Sequence, residues 1–160
     1  MKLMLSLFAA FVMLFQSSDL ETLRDSYAVA NQSKENAKNF IEIADKKTSS
    51  DPVISGYKAA AKVLEAKVTT DGKRKALVKS GATTLESLIK SNPNNTELRL
   101  IRLSVQENVP KIVGYYKNLK EDKEFVLSNY SKQNSALKSY IKKFAAQSKT
   151  MTTAEKATLK

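Results

Sequence analysis

The chain predicts an all-α protein of about seven helices, and three observations carry that expectation. Apolar residues recur at three- and four-residue spacing along most of its length. Only four Gly and three Pro interrupt 160 residues, so the breakers mark joints between long segments. No stretch alternates apolar and polar residues in the way a half-buried strand requires. Helix pairs joined by short turns then give either an irregular antiparallel bundle or a short helical-repeat-like array.

Residues 1–18 read as a secretory signal peptide. Lys2 supplies the positive start, Leu3 to Phe15 is an apolar run broken only by Ser6, and polar residues follow at once. The run is shorter than the roughly 20 residues of a transmembrane helix. Cleavage is expected within Phe15–Ser18, leaving no transmembrane anchor and a single α-helical domain over residues 19–160. The protein is therefore expected to be exported, in the periplasm or secreted.

Each helix has its own signals. Ser18-Asp19-Leu20-Glu21 has capping-box spacing and opens a first helix to about Asn31, with Leu20, Leu23, Tyr27 and Ala30 inward. Ser33 caps a second, striped by Ala37, Phe40, Ile41 and Ala44. Asp51-Pro52 places an acidic cap before proline at the first helical position, and Val53, Tyr57, Ala60, Ala61, Leu64 and Val68 follow. After the Asp71-Gly72 turn a fourth helix runs to about Lys90, with Leu77, Val78, Ala82, Leu85, Leu88 and Ile89 inward. Gly81 inside it weakens the helix unless a neighbour packs closely there.

Ser91-Asn92-Pro93-Asn94-Asn95 is the clearest loop, and Asn95 or Thr96 caps a fifth helix that Pro110 ends. Pro110 is expected to open a short sixth helix to about Lys117. A seventh starts near Leu119, carries Phe125, Val126 and Tyr130, and continues with Leu137, Tyr140, Ile141 and Phe144, with Ser131–Ser135 a candidate break. Thr152-Thr153-Ala154-Glu155 repeats the capping-box spacing and predicts a short terminal helix.

Composition narrows the function classes. There is no Cys and no His, which removes disulfides, thiol nucleophiles, Cys/His zinc sites and the usual neutral-pH proton shuttle. No phosphate loop, nucleotide fingerprint or nucleophile elbow is present, and Glu121, Asp122 and Glu124 lack calcium-loop spacing. The expectation is a non-catalytic protein with no catalytic residue, cofactor or metal. The net charge is +11, or about +10 once Lys2 leaves with the signal peptide. Such an excess favours acidic proteins, anionic lipid or acidic glycans, and export disfavours nucleic acid.

Two regions are candidate sites. Arg99, Arg102 and Gln106 share one stripe of the fifth helix, between Leu98, Ile101 and Val105 on one side and Leu100 and Leu103 on the other. Buried arginines need acceptors, and Glu121 and Asp122 lie within reach in sequence. One reading is a structural network of Arg99, Arg102, Glu121 and Asp122. The other is a binding site of Arg99, Arg102, Gln106, Tyr115, Tyr116, Lys117 and Asn118, with an arginine taking an anion and paired tyrosines walling a sugar or peptide. Separately, Lys73, Arg74, Lys75 and Lys79 form a basic patch at the start of the fourth helix, where cations oppose the helix dipole.

The signal-like start, the N-P-N-N-T-E-L-R-L-I-R-L-S-V-Q run and the following N-V-P-K-I-V-G-Y-Y-K-N-L-K-E-D-K-E-F together resemble a group of uncharacterised exported proteins of Bacteroidetes. The resemblance is most specific over Asn92–Leu127 and implies a bacterial cell-envelope protein, with no activity attached. The helix-pair architecture is also similar to tetratricopeptide-type repeats, although their characteristic residues do not recur at 34-residue spacing. The leading expectation is an envelope module that binds a protein or peptide partner. The alternative is an envelope-surface binder of anionic lipid or glycan.

Overall fold

The computed structural model describes residues 19–70 and 72–160. The signal-like segment, the Ser18 cap and Asp71 lie outside the described residues. The fold is all-α and bundle-like: among the described residues there are eight α-helices and no strand. The first, α1, covers residues 19–29. It is followed by α2 (Lys34–Asp45), α3 (Pro52–Val68), α4 (Arg74–Ser91), α5 (Thr96–Asn108), α6 (Leu119–Asn129), α7 (Ser135–Gln147) and α8 (Thr153–Ala157).

Short polar side chains start most of these helices by accepting from free backbone N–H groups. Ser33 accepts from Asn36, Asp51 from Val53 and Ile54, Asn95 from Leu98, and Asn134 from Leu137. Thr152 and Glu155 close a complete capping box on α8. Such a cap is typically worth about 1 kcal/mol. The exceptions among the described residues are α4, which follows Lys73, and α6, which follows Asn118; neither has a side-chain cap.

One expected element is corrected. Pro110–Lys117 is not a helix; it holds a single 3-10 turn, Lys111–Val113, and then irregular backbone. Proline does stop α5, but Gly114 adopts φ 77° directly after the turn, a left-handed conformation that reverses the chain. The late helical segment is divided in two at a second 3-10 turn, Tyr130–Lys132, which overlaps the candidate break at Ser131–Ser135.

Two helices organise the core. α3 packs against α2, α4 and α5, and α5 packs against α3, α4, α6 and α7. Small residues let α3 sit at the centre: Gly56 and the Ala59-Ala60-Ala61 run are all buried. Where α4 crosses it, Gly81 is required by space, because a Cβ there would lie 2.4 Å from the Ala59 carbonyl oxygen. On α5, every residue from Thr96 to Gln106 except Arg99 is buried. Tyr27, Phe40, Tyr57 and Tyr140 form an aromatic cluster between α1, α2, α3 and α7.

Beside that cluster lies a buried ion pair. Arg24 grips Glu97 through two parallel hydrogen bonds, Nε to Oε1 at 2.7 Å and Nη2 to Oε2 at 2.6 Å. The Tyr57 hydroxyl donates to the same carboxylate at 2.8 Å. Three helices, α1, α3 and α5, are thus tied at one point. Fork geometry and a third donor are what a carboxylate needs when water is withheld.

Candidate functional site

The arginine stripe of α5 is engaged inside the protein. Arg102 is 3% exposed. Its Nε and Nη2 donate to the two oxygens of Asp122 at 2.6 and 2.8 Å, and its Nη1 donates to Glu86 at 2.7 Å. Burial opposes the guanidinium charge, but the hydrogen bonds and charge of Asp122 outweigh it and hold the pKa above the ordinary arginine value. Arg99 donates to Glu121 and to Asp122 and lies over the Phe125 ring. Its guanidinium also donates to the Pro93 carbonyl, closing the α4–α5 loop.

Neighbouring polar groups complete this network. The Gln106 amide donates to Asn118 Oδ1 and accepts from the Asn118 backbone N–H. Tyr115 donates to Glu86 at 2.9 Å, and burial, followed by the Glu86 charge, raises its pKa. Among the described residues no buried side-chain nitrogen or oxygen lacks a hydrogen-bond partner. Arg102, Gln106, Tyr115 and Asn118 therefore fasten α4, α5 and α6 and the turn between the last two. Tyr116 and Lys117 are exposed, whereas Tyr115 is half-buried with its hydroxyl on Glu86. Glu86 and Tyr115 were not expected as partners of this network, because α4 gives no sign in sequence of which face meets α5.

A different place has the form of a binding site. A groove of ≈ 960 Å³ runs between α3, α4 and the C-terminal end of α5. Its floor is apolar, with Ala60, Val63, Leu64, Val78 and Val105 all buried below it. Ile112 and Val113 of the 3-10 turn form one lip. Tyr27 reaches it from α1; burial pushes that hydroxyl up to about 12, so it stays neutral there. A smaller chamber of ≈ 270 Å³ adjoins and shares Tyr27, Asn31, Asn108 and Lys149. The volume is that of an ordinary ligand cleft, about 300–1,000 Å³.

The rim of the groove is cationic. Lys34, Lys67, Arg74, Lys75 and Lys149 line it, and no Asp or Glu does. Where hydrogen bonds hold these side chains, the acceptors are neutral: Lys67 donates to the Asn31 carbonyl, Arg74 to the Thr69 carbonyl, and Lys149 to the Glu107 carbonyl and Asn108 Oδ1. Among the described residues none of the five forms an ion pair. Ion pairs form elsewhere, on Arg24, Lys47, Lys62, Arg99, Arg102, Lys120, Lys123 and Lys143, and Glu107, beside Lys149, accepts from Ser148, Thr150 and the Lys149 backbone N–H.

Only part of this site was foreseen. Of the expected basic patch, Arg74 and Lys75 face the groove; Lys73 and Lys79 are exposed outside its lining. Lys34, Lys67 and Lys149 were missed, since they come from α2, α3 and the segment after α7 and converge only in the fold. The fault in the sixth-helix expectation also hid Ile112 and Val113. A glycine directly after a short proline-led run was the available signal for a turn that throws its apolar residues outward.

No protein family, curated protein or solved structure matches the chain. Among the described residues no helix is long and apolar enough to cross a membrane.

Proposed function

We propose that this is an exported, non-catalytic binding module of the bacterial envelope, and that its groove holds an apolar, acidic segment of a protein or peptide partner. One observation carries the reading: an apolar floor ringed by five cations, with no Asp or Glu among the residues that line the groove. An amphipathic helix is the partner form that suits it, with apolar residues at i, i+3, i+4 and i+7 on the floor and carboxylates against the rim. Burial of the apolar face supplies most of the affinity, while the rim sets polarity and speeds encounter. Export rests on residues 1–18, which have the charge, length and flanks of a signal peptide.

The test is fluorescence anisotropy with a labelled peptide of about 18 residues, five helical turns, with Leu on one face and Glu on the other. Binding should be saturable, should weaken as salt shortens the screening length, and should be lost in Ala66→Trp, which fills the groove from α3. Reversing two exposed rim charges, Lys34→Glu with Lys75→Glu, should weaken it about tenfold or more, the equivalent of about 1.4 kcal/mol. A peptide with Lys in place of Glu should not bind. Equal affinity for both peptides, or no effect of Ala66→Trp in a folded protein, would overturn the reading.

A further inference from the structure

The turn after α5 carries an apolar surface that the groove does not account for. Among the described residues four large apolar side chains are exposed, and three of them are on this one turn: Ile112 at 97%, Val113 at 40% and Tyr116 at 47%. Ile112 at this exposure is essentially without neighbours. Its position is not the result of a loose loop. Pro110 begins the turn, Gly114 at φ 77° reverses it, and the far side is pinned by Tyr115 to Glu86 and by Asn118 to Gln106. A pinned backbone holds an isoleucine in water, which is unfavourable unless something covers it.

The charges around this tip have one sign. Lys111 and Lys117 flank it and are exposed, and residues 109–117 include no acid. Arg74 and Lys75 line the groove together with Ile112 and Val113. The shape is a protrusion: an aliphatic tip, a tyrosine beside it, and lysines with long stems on either side. That order suits the boundary of a bilayer, where the tip enters the acyl region, tyrosine sits at headgroup level, and lysines extend to phosphates. A protein partner would instead need a pocket shaped for one isoleucine, and the cation excess would go unused beyond its edge.

We infer that the Lys111–Lys117 turn docks the protein on an anionic lipid bilayer, with Ile112 inserted and the flanking cations against lipid phosphates. The contact is peripheral, and its strength follows apolar burial together with attraction to anionic headgroups. Ile112 and Val113 also form the lip of the groove, so bilayer docking and peptide binding meet at this edge and are told apart by their ligands.

The chain contains no Trp, so Ile112→Trp places a single indole reporter at the tip. With vesicles of phosphatidylcholine and phosphatidylglycerol its emission should move to the blue and be quenched by lipids brominated near the headgroup end of the chain. With phosphatidylcholine alone neither change should occur. In sedimentation, Ile112→Asp should lower partitioning about tenfold, as expected for the loss of one buried apolar side chain, and Lys111→Glu with Lys117→Glu should abolish it. The circular dichroism of each variant should match the wild type, because none of these residues is in the core. Equal binding to neutral vesicles would overturn the inference, as would unchanged Trp emission in vesicle-bound protein. A blue shift produced by the acidic peptide but not by vesicles would assign the tip to a protein partner instead. Failure of the vesicle experiment leaves peptide binding in solution unaffected, so the two readings fail separately.

Discussion

Arg102 of α5 and Asp122 of α6 face each other with both carboxylate oxygens held, Oδ2 by Nε at 2.6 Å and Oδ1 by Nη2 at 2.8 Å, and Asp122 is wholly shut off from solvent. Removing the arginine side chain leaves this buried acid with only the longer 3.2 Å contact from Arg99, and breaking such a buried pair typically destabilises by about 3–5 kcal/mol. For a domain whose total stability is about 5–15 kcal/mol, Arg102→Ala should lower Tm severely. Lys75→Ala, on the exposed groove rim, should melt within about 0.5 kcal/mol of wild type. The double change Arg102→Met with Asp122→Leu should cost less than the sum of its singles, since neither partner is left unpaired. Thermal and urea melts of Arg102→Ala, Lys75→Ala, the double variant and its two singles check this; a wild-type melt for Arg102→Ala would contradict it.

Gly81 makes a second prediction with an unusual sign. Ala is favoured over Gly in a helix interior by about 1 kcal/mol. Here an added Cβ would meet Ala59 backbone oxygen at 2.4 Å and Val63 Cγ2 at 2.6 Å. Backbone cannot give way as a side-chain tip can, so Gly81→Ala should destabilise by about 1–3 kcal/mol as overpacking does. Gly72→Ala meets nothing within 4 Å and should be neutral or slightly stabilising. Urea midpoints of the pair decide it, and a more stable Gly81→Ala would show that α3 and α4 lie further apart.

The network and the helix caps also set an acid dependence. The hydrogen bonds of Asn118 and then Arg99 lower the Glu121 pKa. The hydrogen bonds of Lys123 and then the Thr152 backbone hold Glu155 down to about 2. A carboxylate whose folded pKa is depressed adds stability that is complete above its unfolded value, about 4.3, and that is lost as the pH falls toward the folded value. Urea midpoints should therefore fall between pH 5 and about pH 2. The double variant Glu121→Gln with Glu155→Gln should be less stable at neutral pH and show a shallower fall. Parallel curves for variant and wild type would contradict these assignments.

Much of the fold was legible because its signals are local. Asp51-Pro52, Asn95 and Thr152 with Glu155 mark helix starts by chemistry contained within four residues, and the structure uses each of them. The arginine stripe was legible for a related reason, since Arg102 stands among Ile101, Leu103 and Val105, all of which demand burial. The partners of that stripe were only half visible. Asp122 is close in sequence, but Glu86 is on α4, and the angle at which two helices cross is set by side chains such as Gly81 that say nothing about a carboxylate five residues on. The groove was least legible of all, because Lys34, Lys75 and Lys149 belong to three separate segments that only tertiary packing brings together.

The proposal that the protein is exported makes a prediction about the covalent chain. Expressed in a cell with a secretory pathway, the mature protein should have lost its first 15 to 18 residues, counted from the cleavage interval Phe15–Ser18. Intact-mass spectrometry of the protein recovered from the envelope fraction reads this directly. A chain that retains Met1 would overturn the assignment of residues 1–18.

The central claim, that the cation-rimmed groove is the binding site and the arginine stripe is internal scaffolding, is tested most directly by amide chemical-shift mapping. The ¹⁵N-labelled protein is titrated with the acidic amphipathic peptide. Saturable shifts should cluster at Asn31, Lys34, Lys67, Lys75 and Val109, while amides around Arg99, Arg102 and Glu121 stay in place. Shifts centred on the arginine stripe, or only weak unsaturable changes scattered over exposed lysines, would contradict it.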